Sequence, residues 1–254
     1  MLKQEKRGEW RSADMAMRNL SDQLLHELGR EIVCGEREPG STLPKVETLS
    51  EMRGVSRTVV REAIKGLHAR RLVESSTRTG TAVREPESWL WWDPDVIGWA
   101  AGADDNRTVL LQLSEVRMAM EPAAVKLAAR NATPEDVEAI RHAFDKLTYA
   151  LDDETVWAEA DGHFHEAILD ASHNMLMASL VRTLQYGLVQ SRYKTMKALR
   201  RQQERDSPGR TAQALEMHRA VMEAVCSGQE DTAHHAMTHL LETVVQLLEE
   251  EESR

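Results

Sequence analysis

What most constrains this chain is the order in which its helical periods are broken. From Leu20 to Glu85, glycine and proline cut the sequence into short pieces. "LSDQLLHELGREIVCG" puts Leu20, Leu24, Leu28 and Ile32 on one helical stripe, with Leu25 and Val33 beside it. Ser21 suits its N-cap and Gly35 its stop. "EPGSTLP" is a turn, and Pro44 suits the first turn of a second helix, "KVETLSEMRG", ending at Gly54. Ser56 caps a third, "RTVVREAIKGLHARR", with Val60, Ile64 and Leu67 at helical spacing. Two β-prone runs follow, "LVESS" and "TAVRE", joined by "TRTG". Three short helices and a hairpin make a winged helix–turn–helix.

After residue 105 the breaks thin out. "TVLLQLSEVRMAMEPAAVKLAARNA" keeps helical period, and Thr133-Pro134-Glu135-Asp136 has the form of a capping box. Further helices are expected through about Leu151, over "TVWAEADGHFHEAILDAS", from about Met175 to Leu199, and over "TAQALEMHRAVMEAVCSG" and "QEDTAHHAMTHLLETVVQLLEEEE", with "RQQERDSPGR" as a polar loop. The fold class is therefore mainly α: a winged helix–turn–helix over 1–85 (1–17 flexible), a Trp-rich linker and short helix over 86–104, and an all-α antiparallel bundle over 105–254.

Charge divides the chain at the same place. Residues 1–85 carry 16 Lys and Arg against 13 Asp and Glu, a net of +3; the remainder carries 16 against 29, a net of −13. A basic head on an acidic body implies two modules with different partners. No apolar run approaches the ~20 residues that cross a bilayer. The charged start "MLKQEKRGEW" lacks the apolar core of a signal peptide, and the two distant cysteines, Cys34 and Cys226, offer neither a disulfide framework nor zinc spacing. A cytoplasmic protein without a membrane partner is expected.

The third helix carries DNA-reading chemistry. Arg57, Thr58 and Arg61 lie at its start, the end of a recognition helix that meets base edges. Arg57 and Arg61 share a face, and arginine pairs bidentately with guanine O6 and N7. Lys65 and Arg71 suit phosphates, and Arg78 at the hairpin tip suits the backbone or an adjacent groove.

"PGSTLPKVETLSEMRGVSRTVVREAIKGLHARRLVESSTRTGTAV" resembles the DNA-binding domain of GntR-type bacterial transcription regulators, and "VSRTVVREAIKGL" is its most specific part. One departure stands out. The family usually carries Glu-Arg where this chain has Val46-Glu47, and in relatives that arginine contributes to DNA contact. A glutamate there repels phosphate or accepts from a cytosine amino group.

In the body, Asp161 and His165 are four apart and share a helical face, so one ion can bind both. His218 and His239, on the last two helices, are candidates for further ligands. A salt bridge is the plainer explanation of an isolated Asp-x-x-x-His. The body is similar to the helical FCD effector domain of the FadR subfamily. That resemblance implies a divalent metal (zinc first, nickel or manganese as alternatives) on Asp161, His165, His218 and a final histidine. Counted from His218 that position falls on Leu240, one residue past His239, and one residue is ~100° of helix rotation. The resemblance also directs Arg117 at a ligand carboxylate, a task its planar fork suits; an intrahelical pair with Glu121 is the alternative. Arg192 is a candidate second cation near that cavity, against the simpler reading of a solvated face.

"WLWWDPDVIGWA", residues 89–100, holds four of the six tryptophans in a chain only 4% aromatic. Asp93-Pro94-Asp95 reads as a helix start. The indoles are expected at a seam between DNA reader and bundle, or between subunits, because exposed apolar clusters mark interfaces. With "SEVRMAMEP", the stretch is similar to sugar-acid regulators of this subfamily.

These readings converge on a cytoplasmic, homodimeric, ligand-responsive regulator, a repressor rather than an enzyme. It binds a near-palindromic double-stranded operator and is released by a small carboxylate. Two rivals stay open: a hydrolase whose His/Asp-bound ion activates water, and a regulator of the same family that answers to a long-chain acyl thioester.

Overall fold

The computed structural model describes residues 19–76, 80–103, 107–205 and 209–250. The chain forms two compact units, one up to Ala100 and one from Ala101 on. The expected flexible lead, 1–17, lies outside the described residues.

The first unit opens with α1 over residues 19–33, so Ser21 lies inside the helix rather than at its cap. Helix α2, Val46–Arg53, starts two residues after Pro44, with Lys45 at the N-cap. Gly54 ends it in a left-handed conformation at φ 64°, a geometry glycine adopts without strain. Helix α3, Arg57–Ala69, is capped by Ser56, whose hydroxyl accepts from the Val59 amide. It buries Val59, Val60, Ala63 and Leu67 and leaves the opposite face to solvent. Strands β1, Val73–Ser76, and β2, Gly80–Val83, pair antiparallel with Val73 opposite Val83. Thr42 bridges to Ala82, so the wing is tied to the turn before α2.

Helix α4, Pro94–Gly102, belongs largely to this unit. Asp93 caps it by accepting from the amides of Asp95 and Val96. Trp99 lies against Gly29 of α1 and donates from Nε1 to His26 Nδ1 at 3.1 Å. Arg70, at the C-cap of α3, holds Asp93 at 3.0 Å and also pairs with Asp95. Trp89 and Trp99 are buried with Leu24, Leu28 and Leu67 in the unit's own core. The seam expectation is therefore corrected for these two indoles: they complete a small domain whose three helices alone bury too little apolar surface. Trp91 and Trp92 are exposed.

The second unit comprises α5 (Arg107–Asn131), α6 (Pro134–Tyr149), α7 (Glu154–Ala171), α8 (Met175–Arg205), α9 (Arg210–Cys226) and α10 (Glu230–Glu250). The capping box at Thr133 and Asp136 is present with both reciprocal bonds. Helix α8 runs through Arg205, so "RQQER" is helix and not loop. Asp153 caps α7, and His173 turns the chain at φ 53° before α8. Helix α10 packs along α5, and α7 lies between α6 and α8. One apolar core, centred on Phe164, Ile140, Leu147 and Val221, joins these helices. Among the described residues no helix is long and apolar enough to cross a membrane.

A β-carbon built on Gly29 would sit 2.4 Å from two Trp99 ring atoms. Gly29→Ala should therefore displace the indole and lower the first unit's stability by about 1–3 kcal/mol, the usual cost of overpacking. Urea unfolding followed by tryptophan fluorescence measures it. A gain in stability, as helix propensity alone would give, would show that Trp99 is not wedged there.

Candidate functional site

Two sites arise from this architecture, one in each unit. On the first, α3 presents Arg57, Thr58, Arg61 and Lys65 on its exposed side, because its apolar residues take the inward positions. Arg57 and Arg61 are one turn apart near the N-terminus. Lys65 pairs with Glu62 at 2.7 Å on the surface. Arg78 lies outside the described residues. Glu47, the departure noted in α2, comes within 3.8 Å of the Arg57 guanidinium, with both side chains exposed. The acidic residue thus offsets part of the Arg57 charge.

In the second unit six buried ionisable side chains from four helices meet. Helix α7 contributes Asp161 and His165, one turn apart; α9 contributes His218; α5 contributes Arg117 and Glu121; α8 contributes Arg192. His218 Nε2 lies 2.8 Å from Asp161 Oδ1. Arg192 Nε donates to Asp161 Oδ2 at 2.5 Å, and His165 Nε2 is 3.7 Å from the same oxygen. His165 Nδ1 donates to Glu121 Oε2 at 2.7 Å, and Arg117 closes on Glu121 through Nε at 2.7 Å and Nη2 at 3.4 Å. The intrahelical pair weighed for Arg117 is therefore formed, but in the interior. The solvated-face reading of Arg192 is overturned, because the residue is 4% exposed.

The electrostatics follow from burial and pairing. Burial pushes the Asp161 carboxyl up, but His165, His218 and Arg192 outweigh it and hold it well below the usual range. Glu121 is likewise held low, with Arg117 and then His165 overcoming burial. Burial pushes the His165 imidazole down against the pull of Glu121 and Asp161, which favours the neutral ring. Burial would lower Arg117, yet Glu121 raises it; Arg192 has less compensation and is pushed down.

The donor set fits a divalent ion. His218 Nδ1 donates to the Ala214 carbonyl at 2.7 Å, and His165 Nδ1 to Glu121. Both rings therefore turn Nε2 towards Asp161. A neutral His218 would set a lone pair against a carboxylate oxygen at 2.8 Å, an arrangement that needs a proton or a cation between them. Ring Nδ1–H groups anchored on protein acceptors are also how metal-binding histidines are oriented. The three donor atoms lie within 4.8 Å of one another.

His239 does not join them. It is exposed, while Leu240 is buried and lines the cavity beside His218. The α10 register sends the histidine outward by one residue's rotation, ~100°, and that expectation is corrected. Three protein ligands with open positions are typical of sites that also take an exogenous ligand.

Beside the cluster is a cavity of about 40 Å³, room for a few waters. Asp161, His218, Arg117 and Arg192 form its polar side, with Trp157 and Leu247 among its apolar lining. Glu121 and Trp157 were missed as parts of this site. Their only signal was spacing: Trp157 is one turn before Asp161, and its ring meets His218 edge-on at 5.6 Å.

An exposed basic recognition helix in one unit and a buried charged cavity in the other define a ligand-responsive DNA-binding transcription regulator. Residues 20–83 match the family model for bacterial regulatory proteins, gntR family, and residues 112–243 match the FCD domain. The chain belongs to the gntR family and carries an FCD domain. It is 30% identical to the galactonate operon transcriptional repressor of Escherichia coli, over 91% of this chain and 98% of that protein. It is 31% identical to the regulator LutR of Bacillus subtilis, over 84% and 94%. Among solved structures, Lar of Listeria monocytogenes shares the fold at a TM-score of 0.64 and 17% identity, covering 91% of this chain and 96% of that one.

Removing the Glu47 charge should release Arg57 for phosphate or base. Glu47→Gln is expected to tighten DNA binding about three- to tenfold at low salt and to steepen the dependence of log K on log salt by up to about one phosphate's worth. Fluorescence anisotropy across a salt series measures both. Unchanged or weaker binding would mean that Glu47 does not face the duplex.

Proposed function

We propose that this protein is a homodimeric cytoplasmic repressor that a small hydroxy-carboxylate of the sugar-acid class releases from a near-palindromic operator. The observation that carries this reading is the buried cavity with two guanidinium groups beside an Asp/His/His cluster. A carboxylate entering it meets Arg117 and Arg192, and its hydroxyls meet polar groups that are already dry. The 30% identity to a galactonate operon repressor supports the effector class.

Asp161, His165 and His218 would hold the divalent ion, zinc first, with nickel or manganese as alternatives. A bound ion supplies a Lewis-acidic point for a carboxylate or hydroxyl oxygen. The protein's own residues bind and orient: Glu121 fixes the His165 ring, the Ala214 carbonyl fixes His218, and Leu199, Leu240 and Leu247 keep water out. Sensing, not turnover, is the role proposed.

In the first unit, Arg57, Thr58 and Arg61 read base edges while Lys65 and Arg78 hold phosphates. Effector binding lowers operator affinity only if the ligand favours the arrangement that binds DNA poorly.

Operator binding followed by anisotropy, with D-galactonate, L-lactate and related acids added in turn, tests the proposal. At least one acid should weaken binding by roughly 5- to 150-fold, the usual span of allosteric coupling. The Arg57→Ala/Arg61→Ala variant should lose at least tenfold in operator affinity, since a bidentate base contact is worth about 1–3 kcal/mol. Operator affinity that no acid changes, or that survives the double substitution, would contradict the reading.

A further inference from the structure

The two cavity arginines are not equivalent. Arg117 turns its Nε–Nη2 edge to Glu121, and Nη2 also reaches His165 Nε2 at 3.4 Å. That edge is occupied by a buried carboxylate of the protein's own. Arg192 uses only Nε, on Asp161. Its two terminal nitrogens, Nη1 and Nη2, are buried with no hydrogen-bond partner among the described residues. A guanidinium left with two dry N–H₂ groups is costly, and buried donors are nearly always satisfied.

Arg192 also borders two cavities of this region. One is the cavity beside His218; the other lies behind α7, lined by Gly162, His165, Gln185 and Arg182 among others. Gly162 lines the second of these cavities. It stands mid-helix between Asp161 and His163, where glycine is unfavourable relative to alanine. A β-carbon there would come within 2.9 Å of Gln185 Nε2 and 3.4 Å of Arg192 Nη1. The missing side chain makes room for the Gln185 amide, while the Arg192 guanidinium would meet such a β-carbon only at ordinary contact distance.

We infer that Arg192, not Arg117, is the hook for the effector's carboxylate: its Nη1 and Nη2 form the free end-on fork that receives both oxygens, while Arg117 is a positioning residue that holds Glu121 and, through it, the His165 ring. This assignment rests on the carboxylate reading above. Because Arg192 Nε and any ion on the cluster share Asp161, the carboxylate is placed next to that ion and not remote from it.

Isothermal titration of the full-length protein with D-galactonate and L-lactate, with lactamide as the uncharged control, tests the assignment. The wild-type chain should bind at least one acid and not the amide. Arg192→Lys keeps the charge but not the planar fork; it should weaken binding roughly 10- to 100-fold, the loss of charge-assisted bonds. Arg117→Lys should weaken binding less than Arg192→Lys. A crystal structure with the bound acid should place its oxygens on Arg192 Nη1 and Nη2. Binding that survives Arg192→Lys within twofold, or a carboxylate seated on Arg117 alone, would overturn the inference and leave the carboxylate reading standing. Failure of every acid to bind the wild-type chain would overturn both. If Arg192→Lys melts far below wild type, the crystal structure of the wild-type complex carries the decision: oxygens seated away from Arg192 Nη1 and Nη2 would count against the fork.

Discussion

The effector unit is organised around one buried carboxylate. Asp161 takes Arg192 on one oxygen and His218 on the other, with His165 beside it. An unpaired charge at that depth would be prohibitive, so its partners are obligatory. They come from α8 and α9, and His165 carries the network on through Glu121 to Arg117 on α5. Four helices are thus held in register by a single continuous chain of charge. Apolar packing around Phe164 and Val221 supplies the bulk of the cohesion, but it does not say which turn faces which. The polar chain does, and it is also where a ligand can intervene. An anion or cation entering the cavity would change the partners of Asp161 and Arg192 directly, so its binding energy would act on the residues that align the bundle. That is the kind of differential interaction a population shift requires.

The DNA-reading unit uses a different economy of residues. Its core is small, and two tryptophans from beyond the wing complete it. Arg70 links the C-cap of α3 to the acidic start of α4, with its guanidinium 5.8 Å from the Trp99 ring centre. Trp99 in turn locks onto α1 through Gly29 and His26. Helix α4 and the recognition helix therefore cannot move independently inside this unit. The tryptophan-rich stretch is a structural brace that extends the winged helix–turn–helix beyond the hairpin.

Much of this was legible in the sequence because local rules coincide with the tertiary outcome. Ser56, Gly54, Thr133 with Asp136, and Asp93 behave as caps because a cap is satisfied within a few residues. Asp161 and His165 share a face by spacing alone. Where the outcome depends on distant partners, spacing is silent. Arg192 reads as a solvated cation until Asp161, 31 positions away, is placed against it. His239 and Leu240 differ by one step of rotation, and the apolar core takes the leucine because burying an imidazole without a partner costs more. The run "RQQER" looks like a loop by polarity, yet its residues are strong helix formers, and α8 continues through it. Ser21 and Pro44 were misplaced by a residue or two for a simpler reason: α1 is already helical at residue 19, and α2 begins only after Lys45.

The account depends most on Asp161, His165 and His218 acting as one three-donor centre, with Leu240 standing where a fourth ligand was expected. X-ray absorption at the zinc edge, on protein loaded with one equivalent of zinc, reads that donor set directly. It should return two imidazole nitrogens and one carboxylate oxygen, with the remaining positions filled by light exogenous atoms. Three imidazoles in the first shell, or a scattering pattern unchanged by His218→Ala, would contradict it.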